Sequence, residues 1–117
     1  MPDRQTTIQQ LIDLVKDFQA ERDWEQFHSP KNLAMGAAIE AAELMEHFLW
    51  LSQQESRDVA DDPEQMQHVR DEVADVLTYL LSIAAAMRFD LSDAFYEKIK
   101  RNEEKYPARQ YRGKYKL

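Results

Sequence analysis

The chain predicts an all-α fold, a four-helix bundle-like subunit assembled into a homo-oligomer, from three observations. Its 117 residues hold two glycines and four prolines, little turn material for a β-rich protein. β-Branched runs are scarce, and apolar residues recur at helical spacing instead. Finally, two of the helical segments are apolar on most of their circumference, and helices of that kind are buried in larger cores or assemblies.

The elements follow in order. A first helix over residues 6–22 carries Ile8, Leu11, Ile12, Val15 and Phe18 as one stripe. Residues 23–28 break it. Ser29 followed by Pro30 starts a second helix, because Ser caps and Pro at the first helical position gives up no needed N–H. That helix runs to about Gln53, and residues 54–61 read as a polar loop. Asp62 followed by Pro63 repeats the start signal, and a third helix continues to about Arg88. Asp90 or Ser92 begins a fourth, carrying Ala94, Phe95 and Ile99 to about Tyr106. The tail, residues 107–117, is polar, basic and expected to be extended. Residues 1–117 read as a single domain, since no linker or internal repeat divides them.

Composition narrows the function classes. No cysteine means no disulfide framework, thiolate metal site or thiol nucleophile. No uninterrupted apolar run is long enough for a membrane span, and no charged-then-apolar leader opens the chain, so a cytoplasmic protein is expected. A net charge of −7 argues against general nucleic-acid binding. From Glu97 onward eight Lys/Arg face three Glu, a balance of +5, which leaves −12 on the first 96 residues. Such a basic end suits either an anionic ligand or a solvated tail.

The chemistry lies in two acidic pairs, each within apolar helical sequence. Glu40 and Glu43 sit in LAMGAAIEAAELMEHFLWL, and Glu72 and Asp75 in VRDEVADVLTYLLSIAAAM. Asp75 is the only formally charged residue from Val73 to Met87. Residues three apart share a helix face, so each pair points one way. Antiparallel packing of the second and third helices would bring four carboxylates together. Without a cation they would repel and their pKa values would rise. Oxygen ligands without His or Cys suit Mg²⁺, with Mn²⁺ as a substitute. A di-iron bundle would want Glu-x-x-His on two helices. Here His47 follows Glu43 by four residues, and Asp75 stands where the second His would be.

This arrangement resembles the all-α nucleoside triphosphate pyrophosphohydrolase superfamily, which includes MazG proteins, dimeric dUTPases and dCTP pyrophosphatases. The dCTP pyrophosphatase (MazG-like) branch is the nearer likeness, carried by ERDWEQFHSPKNL at 21–33, DEVADVLTYLLSIAAAMRFDL at 71–91 and RNEEKYPA at 101–108. The resemblance implies that Glu40, Glu43, Glu72 and Asp75 bind Mg²⁺, which grips a nucleoside triphosphate. It further implies water attack at the α-phosphorus, with Glu43 or Glu40 taking the proton, and a tetramer built as a dimer of dimers. By position Trp24, His28, Trp50 and Tyr79 match the base pocket, although a Trp on an apolar helix is as a rule core. Lys98 and Asn102 match a phosphate-facing side of the fourth helix, where the Lys equally fits a dipole-favoured C-terminal bias. Val15 stands where vertebrate relatives place a histidine, which puts the preference for dCTP at issue. Two alternatives remain: the same fold acting on dUTP or another nucleotide, and a non-catalytic helical interaction module.

Overall fold

Thr7, Ser29, Asp62 and Asp90 each turn extended chain into helix by the same chemistry. Thr7 Oγ1 accepts from the Gln10 N–H at 3.1 Å while the Gln10 side chain accepts from the Thr7 N–H at 2.8 Å. Ser29 Oγ accepts from Asn32 N–H at 3.2 Å, ahead of Pro30. Asp62 Oδ1 takes the N–H groups of Glu64 and Gln65, ahead of Pro63, and Asp90 Oδ1 takes that of Asp93. Each cap satisfies donors that a first turn leaves unpaired, worth about 1 kcal/mol. The computed structural model, which describes residues 1–115, accordingly contains six α-helices and no strand among those residues. They are α1 (Ile8–Glu21), α2 (Pro30–Glu46), α3 (Gln53–Asp58), α4 (Pro63–Met87), α5 (Leu91–Lys105) and α6 (Ala108–Tyr111).

Three boundaries differ from the sequence expectation. The second helix ends at Glu46, not near Gln53: His47 and Phe48 N–H groups fold back on Leu44 and Met45 carbonyls and tighten the chain into turns. The expected polar loop contains α3 and a 3-10 turn, Val59–Asp61, with Val59 buried. Ser52 and Glu55 form a reciprocal capping box there, and the Ser52 backbone and hydroxyl hold the Glu55 carboxyl below its ordinary range. The tail forms the short α6, where Tyr106 and Tyr111 meet edge to face at 5.2 Å. Lys116 and Leu117, the end of the basic tail, lie outside the described residues.

Two helices end on left-handed residues. Asp23 (φ 54°) closes α1: its N–H reaches Ala20 O and that of Trp24 reaches Gln19 O at 3.0 Å, the paired bonds of a Schellman cap. Arg88 (φ 59°) closes α4, its N–H and that of Phe89 both on Ala84 O.

In the interior, α2 packs along α4 as the main interface and α1 crosses α4 in a smaller one. Leu33, Leu81, Ala84 and Ile12 are buried between them. Gly36 makes the α2–α4 approach possible. A Cβ there would overlap the Tyr79 ring, with Cζ 2.6 Å away and Cε1 closer still. Helix α5 packs extensively on no other helix, so one chain does not close a four-helix bundle.

The radius of gyration, 17.1 Å, exceeds the roughly 13 Å of a compact chain of this length. Its accessible surface is 9986 Å², where roughly 6,600 Å² would be usual for this mass. No helix is long and apolar enough to cross a membrane among the described residues.

Candidate metal centre and adjoining pocket

Alignment of α2 with α4 brings acids from the two helices together. One oxygen each from Glu40, Glu43 and Glu72 lie within 4.8 Å of one another. Glu40 and Glu72 are half-buried and Glu43 is exposed. The Glu40 carboxyl is pushed up to about 7, first by burial, then by hydrogen bonding with the Glu72 and Glu43 carboxyls, then by the negative charge of Glu43 and Asp75. Glu40 Oε2 and Glu72 Oε2 are buried and have no hydrogen-bond partner. Partnerless buried carboxylate oxygens are costly, and three converging acids need either shared protons or a cation. An all-oxygen donor set with unspent lone pairs fits a hard divalent ion.

Asp75 stands apart from the three. It is exposed and outside the 4.8 Å group, but close enough for its charge to raise Glu40. Its apolar run does not bury it, because Val73, Leu77 and Leu80 are themselves exposed, at 49%, 37% and 43%.

Beyond Glu40 and Asp75 opens a cavity of about 180 Å³. Phe18, Gln19 and Trp24 from the end of α1 form one wall, with His28 beside them. Thr78, Tyr79 and Ser82 of α4 form the other. The Schellman cap sets Trp24, whose ring stacks with His28 (centroids 6.5 Å, 15° between planes) and meets the Phe18 edge at 5.7 Å. Asn32 Nδ2 donates to Phe27 O at 3.0 Å and ties this segment to the start of α2.

The structure thus brings Trp24, His28 and Tyr79 to one cavity beside the carboxylates. It does not bring Trp50 there. With α2 ending at Glu46, Trp50 falls beyond the helix and is 89% exposed on a turn. Lys98 and Asn102 lie on α5, which packs extensively on neither α2 nor α4, and neither residue lines the cavity.

The MazG-like family's sequence model matches residues 35–116. The chain belongs to the MazG-like family. It is 39% identical to dCTP pyrophosphatase 1 of Mus musculus over 107 residues, 92% of this chain and 63% of that one. To dCTP pyrophosphatase 1 of Homo sapiens it is 39% identical over 102 residues, 87% and 60% of the two. It therefore spans somewhat under two thirds of these relatives' length. A pyrophosphatase from Archaeoglobus fulgidus has a similar structure, with a TM-score of 0.80 and 35% identity, covering 92% of this chain and 98% of that one.

In this MazG-like chain the matched span holds both acidic pairs and Tyr79, while the α1 wall of the cavity precedes it. Gln19, Thr78 and Ser82 line the cavity although no acidic or aromatic pattern in the sequence marks them. Ser82 follows Asp75 by seven residues and Tyr79 by three, so the helical register could have found it. His47, which does not fit a di-iron motif, nevertheless lies beside the cluster. Its Nε2 lies 3.8 Å from Glu72 Oε1, and its ring stacks on His68 at 5.7 Å. Its place four residues after Glu43 was the signal.

Proposed function

We propose that this chain hydrolyses nucleoside triphosphates between the α- and β-phosphates, giving a nucleoside monophosphate and pyrophosphate, with dCTP or a modified pyrimidine nucleotide as substrate. The observation that carries the reading is the carboxylate cluster, with two orphaned oxygens, opening onto a cavity with an aromatic wall. The names of the relatives point the same way.

Glu40, Glu43 and Glu72, joined by Asp75 from the cavity rim, would hold Mg²⁺ or Mn²⁺. Such an ion neutralises phosphate charge and makes bound water a better nucleophile. The residues of the chain divide the remaining tasks. Trp24 and Tyr79 offer faces for a base, with His28 beside them. Glu43, the exposed member of the cluster, and Glu40 are the carboxylates suited to take the water's proton.

The assembly proposed is a homo-oligomer, a dimer of dimers. Surface about 3,400 Å² beyond the usual and a detached α5 support it. Through that assembly Lys98 and Asn102 reach the carboxylates of a neighbouring subunit.

Purified protein with Mg²⁺ and a panel of triphosphates tests the reading. Pyrophosphate release is expected, abolished by Glu72→Ala or Asp75→Ala with helicity retained. Release of phosphate without pyrophosphate would refute the cleavage position. No turnover, with no effect of Mg²⁺ or Mn²⁺ on melting, would favour the helical interaction module instead.

A further inference from the structure

We infer that Gln19, held in one orientation by Ser82, reads the base and selects the cytosine edge over the uracil edge. The inference rests on the nucleotide reading above and deepens it to a specificity-determining residue.

The hydrogens on Ser82 fix the orientation of the Gln19 amide. Ser82, only 5% exposed, donates its single hydroxyl hydrogen to Thr78 O at 2.9 Å. Its oxygen can therefore only accept, and what it accepts is a hydrogen from Gln19 Nε2 at 2.8 Å. That fixes which end of the Gln19 amide faces Ser82. Thr78 is committed likewise, its hydroxyl donating to Ala74 O at 2.8 Å. Both aliphatic hydroxyls in this wall have spent their hydrogens. The Gln19 amide retains Oε1 and one Nε2 hydrogen, and nothing else among the described residues bonds to its side chain.

An amide carbonyl beside an amide N–H complements an exocyclic amino group beside an unprotonated ring nitrogen, which is N4 and N3 of cytosine. Uracil presents the reverse, a carbonyl beside an N–H. To pair with it the Gln19 amide must turn over, and its oxygen would then oppose a Ser82 oxygen that has no hydrogen to offer. Adenine shares the cytosine pattern, but a cavity of about 180 Å³, small beside the roughly 300 Å³ and more of ordinary ligand pockets, favours a single ring. Gln19 also belongs to the aromatic wall: its backbone carbonyl accepts the Trp24 backbone N–H at 3.0 Å, so one cap positions both residues.

The test compares wild type, Gln19→Leu and Ser82→Ala in kcat/KM for dCTP and dUTP, with binding of dCMP and dUMP measured separately by calorimetry. Wild type is expected to favour dCTP. Gln19→Leu should cut the dCTP/dUTP ratio about ten- to hundredfold, the loss of one bidentate base contact, with the dCTP loss falling on KM. Ser82→Ala should lower the ratio in the same direction by improving dUTP, because the amide is then free to turn. An indifferent wild type, or a ratio unmoved in both variants, overturns the inference and leaves the hydrolase standing. If wild type turns over no nucleotide, the hydrolase reading fails by itself. The binding arm then decides: a dCMP preference erased by Gln19→Leu sustains the role of Gln19, and equal affinities end it. Should Gln19→Leu lose its helicity, Ser82→Ala carries the comparison alone.

Discussion

Glu40 concentrates the electrostatics of the site. Its folded value of about 7 lies above the ordinary 4.5, so between those values the native state holds a proton the unfolded chain has lost. Metal-free protein should therefore lose stability as the pH rises from about 4.5 through about 7. Melting temperatures without divalent cation across this range check the sign, and a rise would contradict it. Added Mg²⁺ takes the place of the proton and should flatten the fall. The acids themselves were legible, because charge is conspicuous inside apolar sequence. Their ranking was not. Asp75 looked the most buried by its neighbours in sequence, yet Glu40 and Glu72 carry the orphaned oxygens. Burial depends on which helix face meets another: α4 turns Leu81 and Ala84 inward and leaves Val73, Leu77 and Leu80 exposed.

At the scale of elements, the caps announced themselves and the approach of helices did not. Ser29 with Pro30 and Asp62 with Pro63 begin helices as read, since a cap is a local contest between side-chain and backbone hydrogen bonds. Ser52 and Glu55 start a short helix in a segment whose polar composition reads as loop, because their reciprocal cap outweighs composition. Gly36 reads in sequence as a helix-weakening residue, but in the fold it makes room for Tyr79. Gly36→Ala should cost about 1–3 kcal/mol as the ring is forced aside. It should also lower kcat/KM, because Tyr79 lines the cavity. Thermal melting and a nucleotide assay measure the two effects, and no change in either would remove the glycine from the site's support. Arg88 carries the opposite prospect. A non-glycine in the left-handed region pays a steric cost, so Arg88→Gly should stabilise by about 0.5–1 kcal/mol after the entropy glycine adds to the unfolded chain. Denaturant unfolding reads that sign directly.

The whole molecule exposes more than a monomer should. Val73, Leu77 and Leu80 on α4 and Phe95 and Ile99 on α5 leave apolar stripes open to water. An assembly that covers them would remove surface worth roughly 25 cal/mol per Å² of apolar area. Size-exclusion chromatography with light scattering should therefore find a multiple of the 13.8 kDa chain mass. Phe95→Asp should shift that mass downward, because Phe95 is 63% exposed within the chain and a charge there cannot be buried against a partner cheaply. A wild type running as a monomer would dismiss the assembly.

The helical class, the positions of the main caps, the acidic pairs and the aromatic segment at Trp24 and His28 can be read from the order of residues alone. These are local properties, set by periodicity and by side chains competing with their own backbone. The packing of the helices brings Glu40, Glu43 and Glu72 together, leaves Trp50 exposed on a turn, and sets Gln19 against Ser82 across 63 positions of chain. No periodicity encodes such a pairing. It exists because α1 crosses α4 at one place, and only that crossing commits the Ser82 oxygen to the Gln19 amide.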